Sequence, residues 1–565
     1  MVRTGSRANP VDARTSLIYK PSIVSLLNAA TAALSAFWFR PSLMKFCEEI
    51  HELAPELREH AKTWTQSAVL ARHCPDAVAV VSATGSRTHR ELNDNVNRLA
   101  HALCKRGLGP GSALALLCQN RVEFVEVFLA AMRLGIRLTP INTHLTAQEV
   151  RYIVEDCRAE VFIAQGNLFL GEMLPPGVEV LLIGSDEQTN TYEACLGQSR
   201  ADELSAPRCG TLMLYTSGTT GRPKGVFRRE PEVIEPQFEG SFAQYRAGDV
   251  ALCCGPAYHS APLLFDIRWP LASGIPILLL EKWNSLEVLR LIQAHRVTHA
   301  HMVPTMFKRL LDVDQALRST FDLSSLRFLV HGAAPCPIAV KRGMIEWLGP
   351  VLTEYYAATE GGNGIHVDSQ QWLLKPGTVG RLDPSLGHRI LNDQGEDVPP
   401  GEVGRIYFKA PSTGRFEYFG DPQKTAATYA RDLFTLGDLG YQDQDGFLFL
   451  TGRAAECIIS GGVNIYPREI DEVLMSHPAV KDACTVGAPD DEWGERVVSV
   501  VVLHPEVQAT PELQHSLSTH AAKFLASFKL PREFVFDESL PYTGTGKLQR
   551  NRVRERFWSD RAQRI

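Results

Sequence analysis

The chain has 565 residues, of which 44% are hydrophobic and 22% are charged. This length exceeds what a single hydrophobic core accommodates and predicts roughly two to four domains. The formal net charge is −6 and the charges are dispersed, so we expect no nucleic-acid binding. The 12 cysteines are scattered, apart from the neighbours Cys253 and Cys254, and none has metal-ligand spacing. We therefore expect reduced, mostly buried thiols in a cytoplasmic protein.

An N-terminal extension, residues 1–60, contains an uncharged stretch at 22–39. Four basic residues precede this stretch: Arg3, Arg7, Arg14 and Lys20. Its length of about 18 residues is the lower limit for a membrane span, but Ser, Thr and Asn residues dilute its apolar character. No cleavage site for a secretory signal is evident. Two interpretations stay open: a helix on a membrane surface, giving peripheral contact, and a helix packed on the main body.

Helix-like and strand-like segments alternate from residue 89 to residue 210. In HRELNDNVNRLAHALCKRG the apolar residues recur at helical spacing, and the strand-like SALALLCQN follows. The alternation returns after residue 250, for example in IPILLLE and SLEVLRLIQAHR. Short connections punctuated by glycine favour doubly wound α/β layers, so we predict two such subdomains.

The pattern of predicted secondary structure changes between about 375 and 450. Short β-like pieces with frequent turns predict a small β-barrel there. After Arg453 a compact tail with mixed α and β pieces follows. The predicted fold class is α/β: a large domain over 61–452, built from two α/β subdomains and a small β-barrel, and a small α+β domain over 453–565.

A loop at 214–226, LYTSGTTGRPKGV, is rich in hydroxyls, glycine and cations. It follows a strand, so its backbone N–H groups and hydroxyls form a nest for anionic oxygens. Its spacing differs from that of a P-loop, which needs Gly, four residues and then Gly-Lys-Ser/Thr. A solvated turn is the alternative for a shorter fragment. The full stretch favours phosphate binding.

This loop resembles the signature loop of the acyl-adenylate-forming (AMP-binding) superfamily, which includes acyl-CoA synthetases, adenylation domains of peptide synthetases and firefly luciferase. Further motifs of that family follow in the family's order. They are AYHSAP at 257–262, HGAAPCP at 331–337, EYYAATEGG at 354–362, LGDLGYQDQDGFLFLTGR at 436–453, SGGVNIYPREID at 460–471 and TGTGKLQR at 543–550. The resemblance covers about 85–558, and the motifs together are highly specific.

The resemblance implies an AMP-forming acid–thiol ligase. A carboxylate attacks the α-phosphate of ATP to give acyl-AMP and pyrophosphate, and a thiol, usually that of CoA, then displaces AMP. ATP, Mg²⁺ and CoA are the implied cofactors and co-substrates. The residues expected to act in catalysis are Lys547, Thr359, Glu360 and His259, with Glu360 and Thr216 as metal ligands.

The same resemblance implies a set of nucleotide-binding residues. The phosphate loop comprises Thr216, Ser217, Gly218, Thr219, Thr220, Gly221 and Lys224. The adenine walls comprise Gly332, Ala333, Ala334, Pro335, Glu354, Tyr355 and Tyr356. Other expected contacts are Thr359 at the α-phosphate, Asp438 at the ribose hydroxyls, Arg453 at ribose or phosphate, Asn464 near the nucleotide, and Lys547 at the reacting carboxylate.

The small C-terminal domain of this family rotates between the two half-reactions, which implies a mobile lid here. Gly461 and Gly462 would then line the pantetheine tunnel of CoA. His259 would lie beside the acyl pocket, with a buried structural histidine as the alternative. The hinge position holds Ala455 where the family commonly has Asp or Lys, so we expect rotation with altered kinetics. Leu436 and Ala357 are lesser departures from the family pattern.

Four segments are implied to line the acyl pocket, around 257–266, 303–308, 331–336 and 355–363. They are apolar and aromatic, with no evident Lys or Arg for a second carboxylate. We find no counterpart of the buried Asp that holds the amino group in amino-acid-activating relatives. The expected substrate is a fatty or bulky hydrophobic acid that is transferred to CoA. Loading of a carrier protein and a non-catalytic nucleotide-binding scaffold are the alternatives, and a homodimer is an open expectation.

Overall fold

The computed structural model describes residues 45–184, 191–216, 223–460, 463–490, 493–543 and 546–558. Several of the sequence expectations lie outside these residues: the stretch 22–39, the loop residues Ser217, Gly218, Thr219, Thr220 and Gly221, and the glycines Gly461 and Gly462. In the ranges that are described, no helix is long and apolar enough to cross a membrane.

The strands fall into four sheets and are numbered along the chain. They are β1 (Val78–Ser82), β2 (Gly85–Thr88), β3 (Ala113–Leu117), β4 (Arg137–Pro140), β5 (Val161–Gln165), β6 (Glu179–Ile183), β7 (Thr211–Thr216), β8 (Lys224–Arg228), β9 (Ala251–Cys253), β10 (Ile277–Leu279), β11 (His299–Met302), β12 (Phe328–His331), β13 (Leu352–Ala358), β14 (Gly361–Asp368), β15 (Gly380–Arg381), β16 (Arg389–Leu391), β17 (Gly404–Lys409), β18 (Phe416–Tyr418), β19 (Tyr429–Ala430), β20 (Leu433–Phe434), β21 (Asp438–Gln442), β22 (Phe447–Arg453), β23 (Ile458–Ser460), β24 (Val463–Ile465), β25 (Val480–Asp490), β26 (Gly494–Leu503) and β27 (Glu533–Asp537).

The α-helices are numbered in the same way. They are α1 (Ala54–Glu59), α2 (Gln66–His73), α3 (His89–Lys105), α4 (Val122–Leu134), α5 (Ala147–Asp156), α6 (Tyr192–Gly197), α7 (Ser260–Pro262), α8 (Trp269–Ser273), α9 (Ser285–His295), α10 (Pro304–Leu311), α11 (Gln315–Arg318), α12 (Ile338–Leu348), α13 (Ser369–Leu374), α14 (Pro422–Thr428), α15 (Pro467–Met475), α16 (Pro511–Ala522) and α17 (Arg550–Trp558). A π-helical turn, Leu263–Arg268, joins α7 to α8.

Two largely parallel sheets confirm the prediction of two α/β subdomains. One has the strand order β18-β8-β7-β4-β3-β5-β6, and the other has the order β14-β13-β12-β11-β9-β10-β1-β2. The second sheet includes β1 and β2. These two strands precede every strand of the first sheet in the sequence. The two subdomains are therefore interlaced in sequence rather than strictly consecutive.

The helices on these sheets form where sequence signals for caps and apolar periodicity coincide. Thr88 caps α3 and exchanges hydrogen bonds with Glu91 in a capping box, and Thr146 and Glu149 do the same for α5. Along α3 the apolar side chains that recur at helical spacing are buried and pack in the core of the first sheet.

A third sheet, β15-β22-β21-β17-β20-β19 with β16 paired to β17, forms the β-rich subdomain predicted for this region. The last strand of this subdomain, β22, ends at Arg453, and the short helical turn Ala454–Glu456 follows. The fourth sheet, β24-β23-β26-β25 with β27 paired to β26, forms the small C-terminal domain. The exact domain boundaries stay predictions.

The segment from residue 45 to residue 60 packs into the main body, because Ile50 and Leu57 are buried in a cluster that includes Tyr245. A disulfide joins Cys47 to Cys74, with their Cα atoms 5.6 Å apart. The expectation that all cysteines are reduced is therefore wrong at this pair, since the packing of this segment brings together two residues 27 positions apart. The other ten cysteines are free thiols, and seven of them are buried.

Candidate nucleotide-binding and catalytic site

The phosphate-loop region is held by the antiparallel pair β7 and β8. Thr216 ends β7 and lies opposite Lys224, the first residue of β8. Both side chains are partly exposed. The chain between them includes the predicted phosphate loop, so the two residues flank its base. This pairing places a residue with a hydroxyl and a residue with an ammonium next to each other on neighbouring strands.

Thr359 and Glu360 form the two-residue turn of the β13–β14 hairpin, since Ala358 pairs with Gly361. Two neighbours fix the position of Glu360. The hydroxyl of Tyr418 donates to its Oε1 at 3.0 Å, and Arg228 donates to its main-chain oxygen at 2.6 Å. The tight turn therefore presents Thr359 and the Glu360 carboxylate together at the edge of the sheet.

The donors available near Glu360 suit Mg²⁺, which binds proteins through one or two carboxylates and completes its shell with substrate phosphates and water. Glu360 supplies one carboxylate, and Thr216 offers a hydroxyl on the neighbouring sheet. Within the described ranges, no three His, Cys, Asp or Glu side chains group as an all-protein metal cage. A metal that arrives with the nucleotide fits this donor set.

Asp438 and Arg453 lie opposite each other on β21 and β22. Arg453 Nε donates to Asp438 Oδ1 at 3.0 Å, and the hydroxyl of Tyr356 donates to Oδ2 at 2.8 Å. Burial and the Asp438 carboxylate raise the pKa of Tyr356 well above its ordinary value, so the phenol stays protonated. The carboxylate of Asp438 is thus held in a fixed orientation, as ribose recognition requires.

The turn after β12 packs directly on β13. A Cβ added at Gly332 would lie 2.6 Å from the carbonyl oxygen of Tyr355 and 2.7 Å from its ring, so only glycine fits there. Ala333 follows with a positive φ of 67°. The backbone at Gly332 therefore lies against Tyr355 of β13, and the adenine-binding role of this turn stays a prediction.

Lys547 reaches this cleft from the C-terminal domain. Desolvation lowers its pKa and the charge of Arg453 lowers it further, whereas Glu360 and Asp438 raise it. The side chain is thus within electrostatic range of groups of the large domain, while part of its own surface stays exposed. Its loop is closed by a hydrogen bond from Thr543 N to the Lys547 carbonyl oxygen at 2.8 Å. Gly546 packs on Thr305 at the start of α10, which leaves no room for a side chain.

His259 immediately precedes α7 and lies near Lys547. Burial lowers the pKa of His259 to about 3, and the charges of Lys547 and His144 add to this effect. The imidazole is therefore neutral at physiological pH. Its Nε2 is buried and has no hydrogen-bond partner among the described residues. The choice between a role beside the acyl pocket and a structural role for His259 stays a prediction.

An aromatic face adjoins His259 on the implied acyl-pocket segments. Phe265 stacks on His301 with centroids 5.5 Å apart, and Tyr355 lies 5.0 Å from Phe265. Asp266, in the π-helical turn, is 1% exposed and accepts a hydrogen bond from the backbone of His301 at 2.8 Å. Burial raises the pKa of Asp266 well above its ordinary value. A buried aspartate thus lies beside this face, which the sequence segments did not lead us to expect.

The family of AMP-binding enzymes matches residues 67–416, and the family of AMP-binding enzyme C-terminal domains matches residues 469–547. The first match alone spans more than half of the chain. This chain belongs to the AMP-binding enzymes. The predicted family is confirmed, and with it an ATP-dependent, AMP-forming ligase whose acyl acceptor and acid the family does not fix.

This AMP-binding enzyme has relatives with different substrates. A fatty acid–[acyl-carrier-protein] ligase from Streptomyces coeruleorubidus is 32% identical over 515 residues, covering 88% of this chain and 96% of that protein. An indoleacetate–CoA ligase from Aromatoleum aromaticum is 32% identical over 496 residues, with coverages of 85% and 95%. The o-succinylbenzoate CoA synthetase from Bacillus subtilis, solved with its acyl-adenylate, superposes with a TM-score of 0.73 at 26% identity, covering 89% of this chain and 99% of that one.

The structure of this AMP-binding enzyme separates the predicted site residues into two groups. The charges of Glu360, Asp438 and Arg453 act on Lys547, so these four residues form one electrostatic group. Glu354, in contrast, is buried and accepts a hydrogen bond from Lys341 Nζ at 2.6 Å, so its carboxylate is already paired within the fold. Asn464 lies exposed on β24, the edge strand of the C-terminal sheet. The roles of all these residues stay predictions.

Sequence reasoning missed several residues of the cleft of this AMP-binding enzyme. Tyr418 and Arg228 hold Glu360, although neither belongs to the recognised motifs. They reach it because β18 pairs with β8, which places Tyr418 opposite Val226. No local pattern signals that pairing, since strands from different parts of the chain form it. Lys424 lies six residues after Tyr418, and the same strand pairing brings it near Glu360. Its ammonium lies over the ring of Tyr418.

Proposed function

We propose that this enzyme is an acyl-CoA synthetase that activates a hydrophobic carboxylic acid as its acyl-AMP and transfers the acyl group to CoA. The observation that carries the proposal is the position of Lys547. Lys547, on the C-terminal domain, is within electrostatic range of Glu360, Asp438 and Arg453 of the large domain, and the neighbouring Gly546 packs on Thr305. This arrangement suits adenylate formation, because the reaction brings two anions together and needs a cation between them.

Each residue of the cleft has a defined task in this proposal. Lys547 binds the attacking carboxylate and the α-phosphate as negative charge moves between them. Lys224 and the loop at its side hold the β- and γ-phosphates, and Glu360 with Thr216 would hold Mg²⁺. When bound, Mg²⁺ supplies charge neutralisation at the phosphates. Asp438 accepts hydrogen bonds from the ribose, and the chain at 332–335 with Tyr356 encloses adenine.

His259 positions the acid substrate in this scheme. Because its imidazole is neutral and its Nε2 is unpaired within the described residues, it can donate a hydrogen bond to a carboxylate without adding charge. The charge of Lys547 acts on His259 and lowers its pKa, so both side chains belong to the surroundings in which the carboxylate would bind. This geometry favours a role in orienting the carboxylate for attack.

The aromatic face supports a bulky or aromatic acid at least as well as a simple alkyl chain. Phe265 packs on His301 and on Tyr355, and the half-buried rings of Phe265 and Tyr355 suit stacking on a further ring. The relatives act on fatty acids in one case and on indoleacetate in another. We therefore propose an acid with an apolar body, and the choice between alkyl and aryl bodies is the question for experiment.

The test is acyl-CoA formation from a panel of alkyl, aryl and polycyclic acids, with ATP, Mg²⁺ and CoA, followed by mass spectrometry. The proposal expects acyl-CoA from at least one acid, with AMP in equal amount. A parallel panel replaces CoA by a carrier protein bearing a phosphopantetheine arm, because one relative is an acyl-carrier-protein ligase. Acylation of the carrier but not of CoA would replace the proposal with its alternative.

A further inference from the structure

Lys424 is a second lysine close to the phosphate end of the cleft. It lies in α14, whose first turn is capped by Asp421: the Asp421 carboxylate accepts a hydrogen bond from Lys424 N at 2.9 Å. The preceding strand β18 is paired with β8, the strand that begins at Lys224. As a result the side chains of Lys424 and Lys224 approach each other directly.

The surroundings of Lys424 connect it to Glu360. Its Nζ lies 4.5 Å from the centroid of the Tyr418 ring, and the hydroxyl of the same tyrosine donates to Glu360 Oε1 at 3.0 Å. The ring face of Tyr418 therefore contacts the ammonium of Lys424, and its hydroxyl binds the carboxylate of Glu360. These contacts fix Lys424 on one side of the base of the phosphate loop.

Two neighbouring ammonium groups repel each other unless an anion lies between them. In the described part of the chain, no ion pair joins Lys224 or Lys424 to a carboxylate within 4.0 Å, unlike Lys341 or Lys375. Burial and the neighbouring Lys224 lower the pKa of Lys424, Asp421 and Glu360 raise it, and the net result is a pKa of about 8. The pair is thus arranged for an anionic ligand that the protein itself does not supply.

We propose that Lys424 is a second pyrophosphate-binding residue, which acts together with Lys224 on the β- and γ-phosphates of ATP and on the leaving pyrophosphate. The assignment rests on the proposed function, because pyrophosphate is a product of acyl-AMP formation. In that step a carboxylate oxygen forms a bond to the α-phosphorus, and the bond from the α-phosphorus to the bridging oxygen breaks. Pyrophosphate leaves with the bonding electrons, and no proton or oxidant is needed.

The assignment makes the two half-reactions differ in their need for Lys424. Negative charge grows on the β-phosphate as acyl-AMP forms, and two preorganised cations at that point lower the barrier. Pyrophosphate has left before the thiol displaces AMP. Lys424 therefore serves the first half-reaction and its reverse, but not thioester formation from acyl-AMP.

The variant Lys424→Met tests this difference, because methionine keeps an apolar stem against Tyr418 and removes the charge. We expect kcat/KM for ATP in acyl-AMP formation to fall roughly tenfold to a hundredfold. Thioester formation from synthetic acyl-AMP stays within about twofold of wild type, and Lys424→Arg retains most of the first activity. Lys105→Met, an exposed change at the end of α3, is the matched control and leaves both rates unchanged. Equal losses in both half-reactions, or no loss in the first, overturn the assignment.

A binding measurement separates this assignment from the proposed function. Inorganic pyrophosphate with Mg²⁺ is titrated calorimetrically at about pH 8.5 in two buffers with different ionisation enthalpies. At that pH a fraction of the protein molecules has a neutral Lys424 side chain. Binding of the anion raises the pKa of this lysine, so the wild-type protein takes up protons. The other titratable groups that face the Lys424 side chain are unchanged in the variants; they are Lys224, Glu360, Asp421 and Tyr418.

Lys424→Met weakens pyrophosphate binding, and Lys424→Arg binds without that proton uptake. Unchanged affinity in Lys424→Met, or equal proton uptake in wild type and Lys424→Arg, overturns the assignment. If pyrophosphate binding depends on Lys424 but no acid supports catalysis, the assignment stands and the proposed function fails. The two conclusions are therefore tested independently.

Discussion

Replacing Lys341 by methionine should destabilise the large domain in a pH-dependent way. Its ammonium is completely buried on α12 and pairs with Glu354 of β13 at 2.6 Å, where the Glu354 side chain is 7% exposed. Trp372 lies beneath the same ammonium, at 4.8 Å from its ring. Removing the lysine leaves a buried carboxylate without its main partner. Breaking a buried pair in this way costs about 3–5 kcal/mol.

The pH dependence follows from the direction of the Glu354 pKa. Burial raises this pKa, and Lys341 is the main group that lowers it again. In the variant the folded-state pKa therefore rises further above the unfolded value of about 4.3. Between these two pKa values the folded protein binds more protons than the unfolded chain. The free energy of unfolding then falls with increasing pH by up to about 1.4 kcal/mol per unit.

Urea unfolding at about pH 6 and pH 8, followed by tryptophan fluorescence, measures this loss because Trp372 lies against the pair. We expect a larger loss at the higher pH. The double variant Lys341→Met/Glu354→Met should recover most of the stability, since it leaves no unpaired charge. Lys409→Met breaks the exposed pair with Asp432 and should change stability by less than about 0.5 kcal/mol. Equal losses at both pH values would refute the reasoning.

Three further predictions concern catalysis. Lys547→Ala should slow acyl-AMP formation roughly 10²–10³-fold while sparing thioester formation from supplied acyl-AMP, and single-turnover assays showing equal losses would contradict its role. Ala455→Asp at the hinge should alter the rate of at least one half-reaction, and two unchanged rates would contradict the hinge interpretation. Gly332→Ala should raise KM for ATP about tenfold or more, because its Cβ would lie 2.6 Å from the Tyr355 carbonyl oxygen. Gly197→Ala, where nothing lies within 4 Å of the added Cβ, is its control.

Local sequence signals predicted the elements of this protein well. The apolar periodicity of HRELNDNVNRLAHALCKRG marks a helix that the structure contains as α3. Alternation of helices and strands predicted two doubly wound sheets, and the change of texture near residue 375 predicted the β-rich subdomain. These features depend on neighbours in sequence, which is why they can be predicted without a structure.

Long-range pairing could not be predicted in this way. The pairing of β1 with β10 and of β18 with β8 joins segments far apart in the chain, and tertiary packing alone selects such partners. The second pairing brings Tyr418 and Lys424 to the cleft. The partners of Glu354 and Cys47 were missed for the same reason, because Lys341 and Cys74 meet them only in the folded chain.

Carboxylate-dependent exchange of labelled pyrophosphate into ATP tests the central claim most directly. The claim is that the cleft around Lys547 and Glu360 joins a carboxylic acid to AMP with release of pyrophosphate. Exchange should require both Mg²⁺ and an acid with an apolar body, and Lys547→Ala should abolish most of it. The absence of exchange with every acid of a broad panel, in a protein that binds ATP, would contradict the claim.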